Sequence, residues 1–196
     1  MILIGVSLGS GGVTADIAVV RKRFQHLKHH YEVLDWIRCP GETAAEMLPD
    51  ILRNPSLPKL KRIYSQDRRP RKTVKERPWL LFHSAYTQQD IMASLQHPEI
   101  TFKRIRINTG LNGDIGQEGD VPDYTVEMAE LVDRLATVVT EERLDLLDDG
   151  PDSAVFRREL NAWHTTKSKA LDGRLLALAL PVWFRETIPY RRVYRA

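Results

Sequence analysis

Cysteine is almost missing from this chain. Cys39 is the single one in 196 residues, which excludes an internal disulfide framework and any zinc site built on several thiolates. Long apolar runs are missing too. None reaches the roughly 18–20 residues of a helical membrane span. The opening residues, MILIGVSLGSGG, hold no basic leader, so no secretory signal is expected. An excess of one charge is also lacking: 29 Lys and Arg face 26 Asp and Glu, a formal net charge of +3. So small a balance says little about partners, and the placement of the charges says more. What is present is a hydrophobic fraction of 42%, enough for a core and too high for wholesale disorder. The length suits one domain, residues 1–196, expected in the cytoplasm with no membrane contact.

Periodicity orders the elements. Ile2–Leu8 (ILIGVSL) is a β-branched apolar run and predicts a buried strand. Gly9, Ser10, Gly11 and Gly12 break it into a tight turn, because glycine tolerates positive φ. Residues 13–20 (VTADIAVV) predict a second strand pairing back on the first. Residues 31–39 (YEVLDWIRC) alternate, with Val33, Asp35 and Ile37 on one face and Leu34, Trp36 and Arg38 on the other. Three strands on short connections make an antiparallel meander. Residues 42–53 have helical spacing, interrupted near Pro49. WLLF at 79–82 predicts a central strand, 88–95 a helix, and 101–107 another strand. Residues 108–120 hold four glycines and predict a loop or hairpin. Residues 124–139 predict an amphipathic helix burying Val126, Met128, Ala129, Leu131, Val132, Leu135 and Val139. Residues 154–163 and 171–180 add two helices. The order βββαβαβααα indicates an α/β domain with a mixed sheet flanked by helices.

Four segments in this order resemble one family. GVSLGSGGVTADIAVV is similar to the first hairpin of the nuclease domain of phage terminase large subunits. LLFHSAYTQQDIMASL resembles its middle strand, turn and helix. Residues 126–147 followed by FRRELNAW resemble its helix-strand-helix segment, and LDGRLLALALPVW its final helix. The resemblance implies an RNase H-like fold with the β-meander first. It also implies a phage-type protein in a bacterial or phage-infected cell, and DNA and a packaging ATPase or other assembly protein as partners. These 196 residues contain no G-x-x-x-x-G-K-[ST] loop, so no motor site is expected in them.

In that family, carboxylates from the first strand, the middle strand and the start of the last helix hold two Mg²⁺ or Mn²⁺ ions. Such ions stand about 3.5–4 Å apart and take oxygen ligands. The matching positions here are Ser7, His83, Asp172 and Gly173, of which Asp172 alone is an acid and the one metal ligand expected. A serine hydroxyl is a weak neutral ligand, and histidine suits Zn or Mn better than Mg. Asp16, Asp35 and Asp90 lie on neighbouring segments, but none is expected in register with a ligand position. The resemblance therefore implies a scaffold that has lost its metal site, with no cofactor. A divergent metal-dependent DNA endonuclease or resolvase, using Mg or Mn, is the alternative. Ser7, His83 and Asp172 are also the residue types of a nucleophile, a base and an orienting group. The glycine turn further resembles the phosphate-binding opening of actin-like ATPases, a third reading for an ATP-binding fragment.

The densest charge lies in residues 59–77 (KLKRIYSQDRRPRKTVKER), nine Lys and Arg against two acids. A basic insertion loop is expected over 59–78, with Lys61, Arg62, Arg68, Arg69, Arg71, Lys72, Lys75 and Arg77 as nucleic-acid contacts and Tyr64 as a stacking platform. A basic C-terminal tail is expected over 185–196. His26, His29 and His30 are placed in a hydrophilic turn between the second and third strands, and Cys39 is expected to be packed rather than reactive.

Overall fold

A computed structural model describes residues 1–8, 14–25, 27–44, 46–47, 51, 60–64, 70–75, 78–83, 103–109, 115–118, 121–146, 151–166, 168 and 170–188. The strands are β1 (Ile2–Leu8), β2 (Thr14–Gln25), β3 (Lys28–Pro40), β4 (Leu60–Tyr64), β5 (Pro70–Lys75), β6 (Trp79–His83), β7 (Lys103–Thr109), β8 (Ile115–Glu118), β9 (Val121–Val126) and β10 (Leu144–Leu146). The helices are α1 (Met128–Thr140), α2 (Pro151–Thr166) and α3 (Gly173–Thr187). Eight strands form one mixed sheet in the order β10-β3-β2-β1-β6-β7-β9-β8. The meander β1-β2-β3 is antiparallel, as is β8 on β9, while β6 on β1, β7 on β6, β9 on β7 and β10 on β3 are parallel.

Strand alternation divides the core in two. Leu3, Ala18, Val20, Tyr31, Trp79, Leu81 and Ile107 point to the face covered by α1, α2 and α3. Ile2, Ile4, Val6, Ile17, Val19, Leu80 and Phe82 point to the other, where Ala44 and Ile51 pack. Both faces of β1 and β6 are apolar because both are covered, which is why each reads as a continuous hydrophobic run. Aromatic pairs fasten the helices down: Trp36 with Phe156 on α2, and Trp79 with Phe184 on α3. Trp183 Nε1 donates to Glu130 Oε1 at 2.9 Å, tying α3 to α1.

Beside the end of α3, Arg143 makes a forked pair with Glu186, at 2.9 and 3.2 Å, and also donates to the His29 carbonyl. The Tyr31 hydroxyl donates to the same carboxylate at 2.7 Å. Burial alone would push the Glu186 carboxyl up, but the hydrogen bonds from Arg143 and Tyr31 outweigh it and leave it below its usual value.

Several expectations are corrected. A bulge between Val19 and Val20 shifts the β2–β3 register, so that Asp35 pairs with Val19 but Val33 with Val20. The extra residue reverses the alternation. Val33 therefore joins the helix-side core and Ile37 the opposite one, not a single face. The helix expected over 124–139 begins at Met128, Val126 is the last residue of β9, and Ala129, expected in the core, is exposed because the buried stripe runs through Leu131, Val132, Leu135 and Val138. Of the loop or hairpin expected over 108–120, the hairpin is found: β8 pairs antiparallel with β9, and the end of β7 also falls in this stretch. The basic loop contains β4 and β5, a two-stranded antiparallel sheet of their own. His29 and His30 lie within β3, not in a turn, because the β2–β3 ribbon continues to Gln25 and Lys28. The last helix continues through Pro181 to Thr187, so Arg185, expected in a basic tail, is buried in it. Of the helix expected over 42–53, the described residues are a 3₁₀ turn at Gly41–Thr43 and helical Ala44, Glu46, Met47 and Ile51. The 88–95 helix, Gly9–Gly12 and residues 189–196 lie outside the described residues.

Candidate functional site

The register of the central strands builds one row of polar side chains. Ser7 on β1 pairs with Asp16 on β2 and, on its other side, with His83 on β6. Asp16 in turn pairs with Arg38 on β3. Arg38, Asp16, Ser7 and His83 thus cross four adjacent strands in line. Ser7, Asp16 and His83 are buried. By alternation they share the face of Leu3, Ala18 and Leu81, the side of the helices.

The N-terminus of α3 lies over this row. Asp172 is its N-cap, accepting from the Leu175 N–H at 2.8 Å. A Cβ on Gly173 would run into Asp16 Oδ2 and stand 3.3 Å from its Cγ, so the helix start and Asp16 are in close contact. Ser7 and His83 are therefore neighbours, as expected, and α3 brings Asp172 to the same end of the sheet. The Asp172 carboxylate, however, is engaged with its own helix rather than aimed as a bare ligand.

The residue at the centre, Asp16, was named from the sequence but not placed in the site. Asp16 lies in register with Ser7, one strand away, contrary to expectation. Its side chain is 4% exposed and accepts from Arg38 twice, Nε to Oδ1 at 2.8 Å and Nη2 to Oδ2 at 3.2 Å. Arg174 approaches the same carboxylate at 4.0 Å and pairs with Glu159 on α2 at 3.1 Å. The hydrogen bond to Asp16 raises the Arg38 guanidinium above its ordinary value, with the charges of Asp16, Asp172 and Glu159 adding to the effect. Three acids and two guanidiniums thus gather around the start of α3. The signal for Asp16 was its spacing: a lone acid in VTADIAVV, facing the same side as Ala18 and Val20, must find a cation or leave the core.

Asp35 is used locally, its Oδ1 accepting from the Trp36 N–H at 2.7 Å, and Asp90 lies outside the described residues. Among the described residues, no three His, Cys, Asp or Glu side chains converge as a metal-binding group. Of the basic candidates, Lys61 and Arg62 lie on β4 and Arg71, Lys72 and Lys75 on β5, with Lys61 opposite Val74 and Lys72 opposite Ile63. Arg68, Arg69 and Arg77 lie outside the described residues. Cys39 is buried, and desolvation raises its thiol pKa, in keeping with a packing role. No helix among the described residues is long and apolar enough to cross a membrane.

Burial lowers the His83 pKa below 6.5, so the folded protein holds this imidazole neutral. The unfolded chain binds a proton there first as pH falls, so stability drops as pH decreases through 6.5. Glu186 acts in the same direction at lower pH. Its depressed pKa stabilises the fold above the ordinary carboxylate value of 4.5, and that contribution is lost on further acidification. The melting temperature is expected to decline from pH 7.5 to 5.5 and to fall faster below 4.5. His29, lowered by burial and by nearby Lys22, adds to the first limb, so His83→Asn should make that limb shallower and leave the second. A melting temperature independent of pH between 7.5 and 5.5 would remove the assignment of a neutral buried His83.

No protein-family model, curated protein or solved structure matches the chain.

Proposed function

We propose that this chain is an RNase H-like protein of the terminase-nuclease type that has lost two-metal cutting and serves as a nucleic-acid-binding or DNA-packaging and assembly factor. The observation that carries the reading is the row Arg38–Asp16–Ser7–His83 beneath the start of α3. The strand order β3-β2-β1-β6-β7, antiparallel on one side of β1 and parallel on the other, supports the fold assignment. So does a final helix whose N-terminus packs on Asp16, the residue paired with Ser7 near the end of β1.

The residues at the row do not fit a two-metal centre. Ser7 and His83 stand where two carboxylates are required, Asp172 caps its helix, and both oxygens of Asp16 are held by Arg38. A guanidinium supplies the positive charge that divalent ions would bring, and it cannot activate water as a bound metal ion does. The scaffold is kept while the chemistry is replaced by an ion pair. Function then falls to binding, for which the basic segment 59–78 supplies the phosphate contacts, with DNA and a separate packaging ATPase as the partners.

Binding and cutting are tested together. A labelled DNA duplex is expected to bind with a steep salt dependence. If four to six side chains reach phosphates, affinity should fall roughly a hundredfold or more between 50 and 200 mM salt, about 0.9 in log–log slope per phosphate. Replacing Arg68, Arg69, Arg71 and Lys72 by Ala should flatten the slope and change sequence preference little, because phosphate contacts position rather than specify. No cleavage is expected with Mg²⁺ or Mn²⁺. Metal-dependent nicking abolished by Asp172→Ala would overturn the loss of activity and favour the divergent endonuclease. Unaltered binding by the quadruple variant at every salt concentration would overturn the role of the basic segment.

A further inference from the structure

The β2–β3 ribbon outgrows the sheet at the end opposite Asp16. Strand β1 begins at Ile2, opposite Arg21, and β10 begins beside Tyr31. The pairs Arg23–His30, Phe24–His29 and Gln25–Lys28 therefore extend beyond their neighbouring strands. At about 3.4 Å per residue the ribbon runs roughly 10 Å past β1 in these pairs, braced on the β3 side where Arg143 donates to the His29 carbonyl and Lys28 pairs with Glu141.

Its chemistry is unusual for a solvated tip. Phe24 is 63% and Leu27 87% exposed, two of the three large apolar side chains exposed among the described residues. Leu27 also has φ 64°, a left-handed conformation that favours glycine or asparagine over a leucine. Folding gains nothing from an exposed, strained leucine, and such strain is often kept for function. Residues 21–31 (RKRFQHLKHHY) hold four Lys and Arg, three His and no acid. Arg23 pairs with Glu32 and Lys28 with Glu141, yet both cations stay substantially exposed. The Lys28–Glu141 pair is of the surface kind that contributes little, whereas Arg23 shares the buried Glu32 carboxylate with Arg21 and turns its remaining donors to solvent. Phe24 stands edge-on to His29 at 5.4 Å, a small aromatic platform.

We propose that this tip is a second nucleic-acid contact, a ribbon that enters a groove of duplex DNA with Arg23 and Lys28 at the phosphates and Leu27 and Phe24 against the bases. It rests on the reading that the chain binds nucleic acid, and it lies at the other end of β1 from the Asp16 row. The major groove, about 12 Å wide and 8.5 Å deep, admits a two-stranded ribbon of this reach. In the major groove apolar side chains at such a tip meet thymine methyl groups while the flanking cations hold the backbone. Two apolar side chains offer too little area to anchor the chain on a lipid surface.

The test uses the full chain, a fluorescent 20-base-pair duplex and salt from 50 to 200 mM. Arg23→Gln with Lys28→Gln is expected to lower the log–log salt slope by about 2, at about 0.9 per phosphate. Leu27→Gly is expected to raise the melting temperature, by relieving the left-handed leucine, and yet to weaken binding roughly tenfold through the lost base contact. Gain of stability with loss of binding separates a contact residue from a structural one. If both tip variants bind like the parent while Arg71→Ala with Lys72→Ala binds weakly, the tip proposal falls and the nucleic-acid reading stands. If the parent itself does not bind duplex at 50 mM salt, both fall. Capture of the parent by phosphatidylserine vesicles, lost in Leu27→Gly while DNA binding is unchanged, would overturn the proposal in favour of a membrane contact.

Discussion

Gly5→Ala is expected to destabilise the fold by at least about 3 kcal/mol, and Gly5→Val to leave no cooperative thermal transition. Gly5 lies in the middle of β1, between Ala18 on β2 and Leu81 on β6, beneath α3. A Cβ there would overlap the Ala177 carbonyl oxygen and stand 2.7 Å from Pro181 Cδ and 2.9 Å from the Ala177 carbonyl carbon. The obstruction is helix backbone and a proline ring, neither of which can swing aside as a flexible side chain would. Pro181 lies inside α3 and has no N–H to give the Ala177 carbonyl, so the helix turns its weakest backbone position toward the one residue of β1 without a side chain. Moving α3 outward to admit a methyl group would loosen Leu178, Val182 and the Trp79–Phe184 contact together. For a domain of this size the Ala variant should lose roughly 6–12 °C in melting temperature, measured by calorimetry. A loss below 2 °C would show that α3 does not approach β1 this closely.

The same element shows what sequence could disclose. The strands ILIGVSL and WLLF were legible because both their faces are covered, and burial on both sides leaves a continuous apolar run. The glycine at position 5 carried no strand signal of its own, since its role exists only against Ala177 and Pro181. Pro181 set an end for the last helix in sequence, yet LALALPVWF continues through it: apolar burial of Val182, Trp183 and Phe184 outweighs one missing hydrogen bond. The boundary between β9 and α1 was misplaced because Val126 satisfies both periodicities at once. Strand β8, with two glycines about it and an antiparallel partner in β9, carries too little apolar pattern to be separated from a loop.

At the candidate site, Ser7, His83 and Asp172 were reached through resemblance, and strand register places the first two side by side. Asp16 was seen and set aside. Antiparallel register cannot be counted from a sequence whose turn length is open, and the turn here falls in residues 9–13, outside the described ones. The pairing of Asp16 with Arg38 was still less accessible, because the bulge at Val19 and Val20 decides which face Arg38 takes. An imperfect alternation in YEVLDWIRC was the visible trace of that bulge.

Arg38→Met is expected to cost about 3 kcal/mol, the lower end of what breaking a buried pair from one side entails, since half of Arg38 already meets solvent. The Asp16 carboxylate would be left nearly buried, with Arg174 at 4.0 Å as its nearest remaining cation. Asp16→Asn should cost no more than about 1 kcal/mol, because it leaves a guanidinium that water can reach and an amide oxygen that still accepts. Pairing Asp16→Leu with Arg38→Met should be milder than Arg38→Met alone, and the cycle should return a coupling above about 1 kcal/mol. The ion pair also governs any attempt to rebuild a metal centre. A side chain at position 173 would run into Asp16 Oδ2, so Ser7→Asp, His83→Asp and Gly173→Asp together should fail to bind Mn²⁺ while Asp16 and Arg38 remain. The same three substitutions combined with Asp16→Ala and Arg38→Ala should bind it, as read by calorimetric titration, because the cation and the obstruction leave together. Mn²⁺ binding of equal strength in both backgrounds would show that the Asp16–Arg38 pair does not block a metal at the proposed position.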